Sequence, residues 1–337
     1  MPILKILVTG GTGFVGSHIL DRLVHRRDID LEKIEIYATR RYHLSRRDKV
    51  EHLEEKVIWL DCDLTESIAT TQLISSIQPD EIYHMAAESF VSPSWAHPIR
   101  YMDVNYNGTV NVLDAIRNHS PKTKILLPGS GEEYGLVLPT NLPITSSTEL
   151  QPVNPYAVSK IAQDLIGYVY FKSYGLNVIR LRTFNHEGPR REKYFGIASF
   201  CYQIARMEAG LQEKILKVGD TSDKRNFTHV KDIINAYELA MKKAEFGKLY
   251  LVGSENSENI DTFDGVINKL KKLSNLGVSI KTIQVPEFTR PTAVPYLLAD
   301  ATEFAGLTNW APTMNLDEIL EDVLSYWRNR IRTNPNM

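Results

Sequence analysis

Short apolar runs rich in β-formers alternate with amphipathic stretches through the first half of this 337-residue chain. That alternation predicts an α/β fold built on a doubly wound parallel sheet, with a smaller mixed α/β C-terminal lobe. Two further observations agree. A glycine-rich turn at 10–16 stands between the first apolar run and the first amphipathic stretch. The regular alternation then stops near residue 182 and gives way to polar loops and short mixed segments.

Residues 3–9 are apolar with a glycine pair directly behind them, the pattern of a parallel strand buried on both faces. The turn that follows reads Gly-Gly-Thr-Gly-Phe-Val-Gly, with glycines at Gly10, Gly13 and Gly16. Glycines so spaced permit a tight turn, close approach of backbone to a pyrophosphate, and close helix–strand packing, which makes the sheet Rossmann-type. A helix is expected from Ser17 to His25 and a second strand over 33–39. That strand ends in Thr39-Arg40-Arg41 rather than in the Asp or Glu that would take ribose hydroxyls. Guanidinium groups there suit a 2′-phosphate, so NADP is favoured over NAD. A third strand over 56–60 leads to Asp63, a candidate acceptor for the adenine amino group. A helix over 67–77 and a strand over 81–87 come next. Ala86 and Ala87 are small enough to let a cofactor lie on the strand end, and Glu88, Ser89 and Ser92 open a loop facing nicotinamide or substrate.

A helix over 104–118, a strand at 124–128, a helix continuing to 173 and a strand over 177–182 complete the first domain, 1–182. The remainder, 183–337, is read as the substrate lobe, with helices near 197–209, 263–274 and 316–328 and strands near 214–218, 247–252 and 278–283. The chain is expected to return to the first sheet near residue 230, and its tail to fray. The cleft between lobes, above the carboxyl ends of the strands, is the expected ligand site.

Bulk properties narrow the function. A formal net charge of −2 argues against a polyanion binder held by bulk charge. No apolar run approaches the roughly 20 residues of a membrane span, and the N-terminus has no signal-peptide layout. Two distant cysteines, Cys62 and Cys201, fit a reducing, cytoplasmic setting. No metal-ligand spacing is present, so no metal is expected.

The stretch 129–160 carries the chemistry. Tyr156 and Lys160, four apart on a helix, share a face. There the ammonium would favour the phenolate, bringing a phenol that titrates near ~10 toward neutrality. Ser130, after the strand 124–128, can bond the same substrate oxygen. The three make a device for taking a proton from an alcohol while hydride leaves its carbon.

Taken together, the glycine turn, Thr39-Arg40-Arg41, Ser130-Gly-Glu-Glu-Tyr-Gly135, Asn154-Pro-Tyr-Ala-Val-Ser-Lys160, Phe184-Asn-His-Glu-Gly-Pro-Arg-Arg191, the segment 224–232 and Arg290-Pro-Thr-Ala-Val294 form a pattern covering nearly the whole chain. It resembles the extended short-chain dehydrogenase/reductases of the nucleotide-sugar branch, on the side of the GDP-mannose 4,6-dehydratases and the related GDP-4-keto-6-deoxymannose reductases. The resemblance implies a GDP-sugar substrate, a soluble homodimer or homotetramer, and a cofactor cradle of Gly10, Thr12, Gly13, Phe14, Val15, Gly16, Arg40, Arg41, Asp63, Leu64, Ala86 and Ala87 with Tyr156 and Lys160. It implies Ser130, Glu132, Tyr156 and Lys160 as catalytic. Substrate contacts would come from Glu88, Ser89, Ser92, Asn185, Glu187, Arg191, Val218, Arg225 and Arg290.

For a dehydratase, Tyr156 takes the 4-hydroxyl proton, Glu132 then removes the proton at C5, and the 6-hydroxyl leaves as water. Two departures keep a reductase or epimerase open. Gly131 stands where dehydratases of this type carry Ser or Asp, and Ala293 where both relatives usually carry Glu. A catalytically silent dinucleotide-binding protein is a third reading, opposed by the intact Ser130, Tyr156 and Lys160.

Overall fold

In the computed structural model, residues 3–26, 33–42 and 44–335 are described. The strands are β1 (Leu4–Thr9), β2 (Ile34–Arg40), β3 (Ile58–Asp61), β4 (Glu81–His84), β5 (Lys124–Ser130), β6 (Asn177–Thr183), β7 (His186–Glu187), β8 (Ile215–Val218), β9 (Lys224–Asn226), β10 (Thr228–His229), β11 (Leu249–Val252), β12 (Ile260–Thr262), β13 (Lys281–Gln284) and β14 (Tyr296–Leu297). The helices are α1 (Phe14–Val24), α2 (Ser67–Ile77), α3 (Pro98–Met102), α4 (Gly108–His119), α5 (Pro155–Tyr174), α6 (Gly196–Glu208), α7 (Val230–Lys243), α8 (Phe263–Leu273), α9 (Thr302–Thr308) and α10 (Leu316–Thr333).

Seven strands form the central sheet in the order β11-β6-β5-β4-β1-β2-β3, and every pairing is parallel. This is the doubly wound sheet the sequence predicts. Val8, Ile36 and Leu126 join Leu20, Leu23, Ile233 and Tyr237 of α1 and α7 in the core on one face. Leu7, Ile82 and Ile125 join Ile74, Val112 and Leu113 of α2 and α4 on the other. Burial of both faces is why these strands read as continuous apolar runs.

After β6 the chain leaves the sheet, then comes back through α7, which lies against α1, and through β11, which pairs with β6. The remaining segments hold three small sheets, β10-β7, β12-β9-β14 and β13-β8, with a separate core between α6, α8 and α10. Among the described residues no helix is long and apolar enough to cross a membrane.

Two elements differ from the sequence reading. The helix expected over 104–118 is α3, a five-residue π-turn at Asp103–Asn107 and then α4, because Pro98 starts the helical path early. The last helix runs on to Thr333 rather than stopping at 328, with Ile331 still packed in the second core.

Candidate active site

The glycine turn is built by contact rather than by flexibility alone. Gly10 has φ +64°, and a Cβ there would meet Ala86 backbone at 2.8 Å. A Cβ on Gly16 would meet the Gly10 carbonyl at 2.3 Å. The turn therefore sits directly on the end of β4. Gly13 caps α1 and contributes no side-chain acceptor, so the first-turn amides face the groove without an internal partner from the cap.

At the second strand, Arg40 pairs with Glu54 at 3.0 Å and Asp61 at 3.1 Å and lies over the Trp59 ring. Arg41 is the guanidinium whose charge helps hold Asp63 below the usual carboxylate range, against the effect of burial and alongside two Thr65 bonds. Leu64 is buried, and Asp63 caps its own turn through Thr65 at 2.8 Å.

β5 ends at Ser130, whose hydroxyl accepts from the Glu132 amide at 3.2 Å. Asn154 caps α5 by accepting from the Ala157 amide at 2.7 Å, with Pro155 in the first turn. That capped start brings Tyr156 to the mouth of the same strand. Tyr156 is 8% exposed, with the Tyr101 ring edge-on at 6.3 Å. Burial pushes its phenol up from the ordinary value, while a hydrogen bond with Ser130 works the other way. The cation that favours its phenolate here is Arg191. Lys160 instead donates to the Pro128 carbonyl and to Gln163 Oε1. The sequence expectation that Lys160 tunes Tyr156 by proximity is not what this arrangement displays, because the buried ammonium has turned to two interior acceptors.

Glu132 lies beside this pair, its side chain 12% exposed. Asn154 Nδ2 donates to one carboxylate oxygen at 3.0 Å and Arg290 Nη1 to the other at 3.4 Å. Glu133 points inward and is fully buried. It accepts the Ser130 amide at 2.7 Å and stands 2.7 Å from Arg182 Nε, an ion pair without hydrogen-bond alignment. Arg182 and Arg180 share Asp164 at 2.7 and 2.6 Å. Burial raises the Glu133 carboxyl and lowers the Lys160 ammonium, and Glu133 and Asp164 partly restore the latter. Gly131 has no room for more, since a Cβ would meet the Phe184 ring at 2.9 Å.

A cavity of about 1030 Å³ lies next to this site, touching it through Arg290, the residue bonded to Glu132. Its wall includes Ser92, Val218, Arg290 and Ala293 among the sequence candidates, with Phe90, Tyr194, Phe195, Phe263 and Phe288 supplying aromatic faces. Glu88 does not line it: its backbone is clamped by Asn105 and its carboxylate lies 3.3 Å from Arg100; Ala87 and Ser89 are exposed. Asn185 and Glu187 lie on the segment after β6. The Asn185 carbonyl accepts from Thr228, and burial raises the Glu187 carboxyl to about 7. Arg191 stacks on Phe195 at 3.9 Å and on Phe14 of the glycine turn at 4.9 Å. Its Nε is buried without a hydrogen-bond partner, 4.0 Å from Glu187. Arg225 is only 2% exposed and is committed to Asp223 at 3.1 Å and to the Lys224 carbonyl.

The structure thus brings Ser130, Glu132, Tyr156, Arg191 and Arg290 to one place and keeps Arg225 behind them. Sequence reasoning missed Asn154 as the residue joining the α5 cap to Glu132. The Asn-Pro pair at 154–155 was the available signal, being a helix-start signature.

Comparison with known proteins agrees with this architecture. The family model described as GDP-mannose 4,6 dehydratase matches residues 7–323. The chain is 30% identical to a GDP-6-deoxy-D-mannose reductase of Pseudomonas aeruginosa, over 97% of this chain and 98% of that protein. It is 28% identical to a GDP-mannose 4,6-dehydratase of Vibrio cholerae, over 95% of this chain and 92% of that protein. Among solved structures, that of RMD from Pseudomonas aeruginosa complexed with NADPH superposes with a TM-score of 0.80 at 28% identity, covering 97% of this chain and 99% of that one. A dTDP-glucose 4,6-dehydratase from Bacillus anthracis shares the fold, with a TM-score of 0.84 at 23% identity over 98% of each chain. The chain belongs to the GDP-mannose 4,6 dehydratase family, within the nucleotide-sugar branch of the extended short-chain dehydrogenase/reductases.

Proposed function

We propose that this protein is an NADP-dependent GDP-sugar 4,6-dehydratase of the GDP-mannose type. The observation that carries the reading is the Glu132 carboxylate, set beside Ser130 and Tyr156 and bonded to Arg290, which itself lines a cavity large enough for a nucleotide sugar. Residues 1–182 would hold the dinucleotide and residues 183–337 the nucleotide sugar.

The cradle fits a dinucleotide. Side chains at Gly10 and Gly16 would strike the Ala86 and Gly10 backbone and break the tight turn, the α1 start offers uncapped amides, and Arg191 brings an orphaned buried N–H to the same turn. Thr12, Phe14 and Val15 would line the turn, and Arg41 supports the choice of NADP, whereas Arg40 is committed to Glu54 and Asp61. When bound, the dinucleotide would supply reversible hydride-acceptor chemistry for sugar C4 and C6.

The chain's own groups do the rest. Ser130 holds the 4-hydroxyl, and Tyr156 takes its proton as the C4 carbon is oxidised. The resulting 4-ketone acidifies C5–H, and Glu132 removes that proton and passes it to the departing 6-hydroxyl, which leaves as water. Asn154 holds the Glu132 carboxylate in place for this step. Arg290 and Arg191 would bind the diphosphate, their forked donors matching its oxygens.

A second reading, a GDP-4-keto-6-deoxy-sugar reductase, is favoured by Gly131. Phe184 occupies the space a side chain would need there, so no acid stands between Ser130 and Glu132. Incubating purified protein with GDP-mannose and no added cofactor separates the two. A GDP-4-keto-6-deoxy product supports the dehydratase. An inert GDP-mannose, with NADPH oxidised mole for mole by the 4-keto sugar, would replace it with the reductase.

A further inference from the structure

A polar chain crosses the otherwise apolar interior between α5, α4, β4 and β1. Lys160 Nζ donates to Gln163 Oε1, and Gln163 Nε2 donates to Thr109 Oγ1 at 3.0 Å. Thr109 has one hydroxyl proton, and it goes to the Asn105 carbonyl at 2.7 Å. Its oxygen must therefore accept from every other neighbour. His84 Nε2, 3.0 Å away, has to carry the ring proton. His84 Nδ1 is then bare and accepts from Thr9 Oγ1 at 3.0 Å. The Thr9 oxygen accepts in turn from the Ala86 amide at 3.2 Å, at the strand end beneath the glycine turn.

The same count fixes the Gln163 carboxamide. Turned over, it would aim an NH2 at the ammonium and a carbonyl at a Thr109 oxygen with no proton left to give. All five side chains are at most 3% exposed, so water does not compete for these bonds. Of the three N–H groups on Lys160, the Pro128 carbonyl and Gln163 take two, which leaves one for the site.

We propose that Gln163 is a positioning residue for Lys160: it holds the ammonium at the inner wall of the site, and Thr109 and His84 lock its carboxamide in the one orientation that can do so. This rests on the reading of Lys160 as part of the catalytic group, but its test needs no substrate. The charges facing Lys160 are Glu133 from the turn after β5 and Asp164 of α5, both paired with Arg182 of β6. His84 on β4 is held neutral by burial and by the Lys160 charge, and Tyr156 lies one turn earlier on α5.

The experiment is an NMR titration of the lysine side chains in the full-length protein, with the Lys160 signal assigned from Lys160→Arg and folding checked by thermal unfolding. In Gln163→Leu the ammonium loses one of two interior acceptors, and its titration midpoint should fall by about one pH unit or more. Thr109→Val, which unlocks the carboxamide, should move it the same way by less. Gln163→Glu, which adds a negative charge against the ammonium, should raise it. An unchanged Lys160 midpoint in folded Gln163→Leu overturns the proposal. Should Gln163→Leu not fold, an unchanged midpoint in Gln163→Glu does the same. Activity provides the complementary readout: kcat falls in Gln163→Leu while KM holds. Failure of the dehydratase reading would remove that assay and leave the titration untouched.

Discussion

Among single residues, Tyr156, Glu132 and Gly131 decide the chemistry proposed for the site. Tyr156→Phe keeps the ring and removes the proton acceptor, so turnover should fall at least ~100-fold with an unchanged melting temperature. Gly131→Asp would place a carboxyl where dehydratases of related type carry an acid. Phe184 stands 2.9 Å from the new Cβ, so overpacking should cost about 1–3 kcal/mol by denaturant unfolding, and dehydration should not rise. Arg290→Ala removes a donor to Glu132 and, on this reading, a diphosphate contact; KM for the nucleotide sugar should rise on the order of tenfold or more. Ser130, Tyr156 and Lys160 were legible because their spacing is local. The direction of Lys160 was not, since it follows from a glutamine three residues on and from a threonine and histidine on other elements. Nor was the burial of Glu133, whose neighbour in sequence, Glu132, faces the site: Arg182 of β6 and the Ser130 amide hold the first inward, while Asn154 and Arg290 hold the second.

At the scale of elements, α5 joins chemistry to assembly. Its cap residue Asn154 serves both the helix start and Glu132. Asn154→Ala should cost about 1 kcal/mol of stability and also lower turnover, whereas an ordinary cap would show only the first. The opposite face of α5 exposes Val158, Leu165, Tyr168 and Val169, each at least 40% accessible. Contiguous exposed apolar surface marks interaction sites, and on the reading of a homo-oligomer this row is where a second copy would sit. Light scattering should therefore find the protein paired, and Leu165→Arg should halve the mass of the particle. The strands and long helices were legible because both-face burial and a 3.6-residue period mark the sequence directly. The two-residue ladder of β7 and β10 and the π-turn before α4 were not, because long-range pairing and a proline-started approach decide them.

At the scale of the whole molecule, stability should depend on pH through three buried histidines. Burial lowers His84 and His186 to about 3 and His18 to about 4. The unfolded chain binds their protons below about 6.5 and the folded chain does not, so stability falls as pH drops. Glu187, raised by burial to about 7, acts oppositely: the folded state protonates it first, offsetting part of the loss down to about 4.5. The steep part of an acid unfolding curve should therefore lie below about 4.5, read by circular dichroism against pH.

Glu132, on the turn after β5, is bonded to Arg290 of the segment between β13 and β14, and on the proposed reading this carboxylate takes a proton from sugar C5. The most direct measurement is mass spectrometry and NMR of the product formed from GDP-mannose in deuterium oxide without added cofactor. The account expects a 4-keto-6-deoxy sugar with solvent deuterium at C5 from the wild-type protein, and none of that product from Glu132→Gln. Full dehydration by Glu132→Gln, or product with its C5 hydrogen unexchanged, would contradict it.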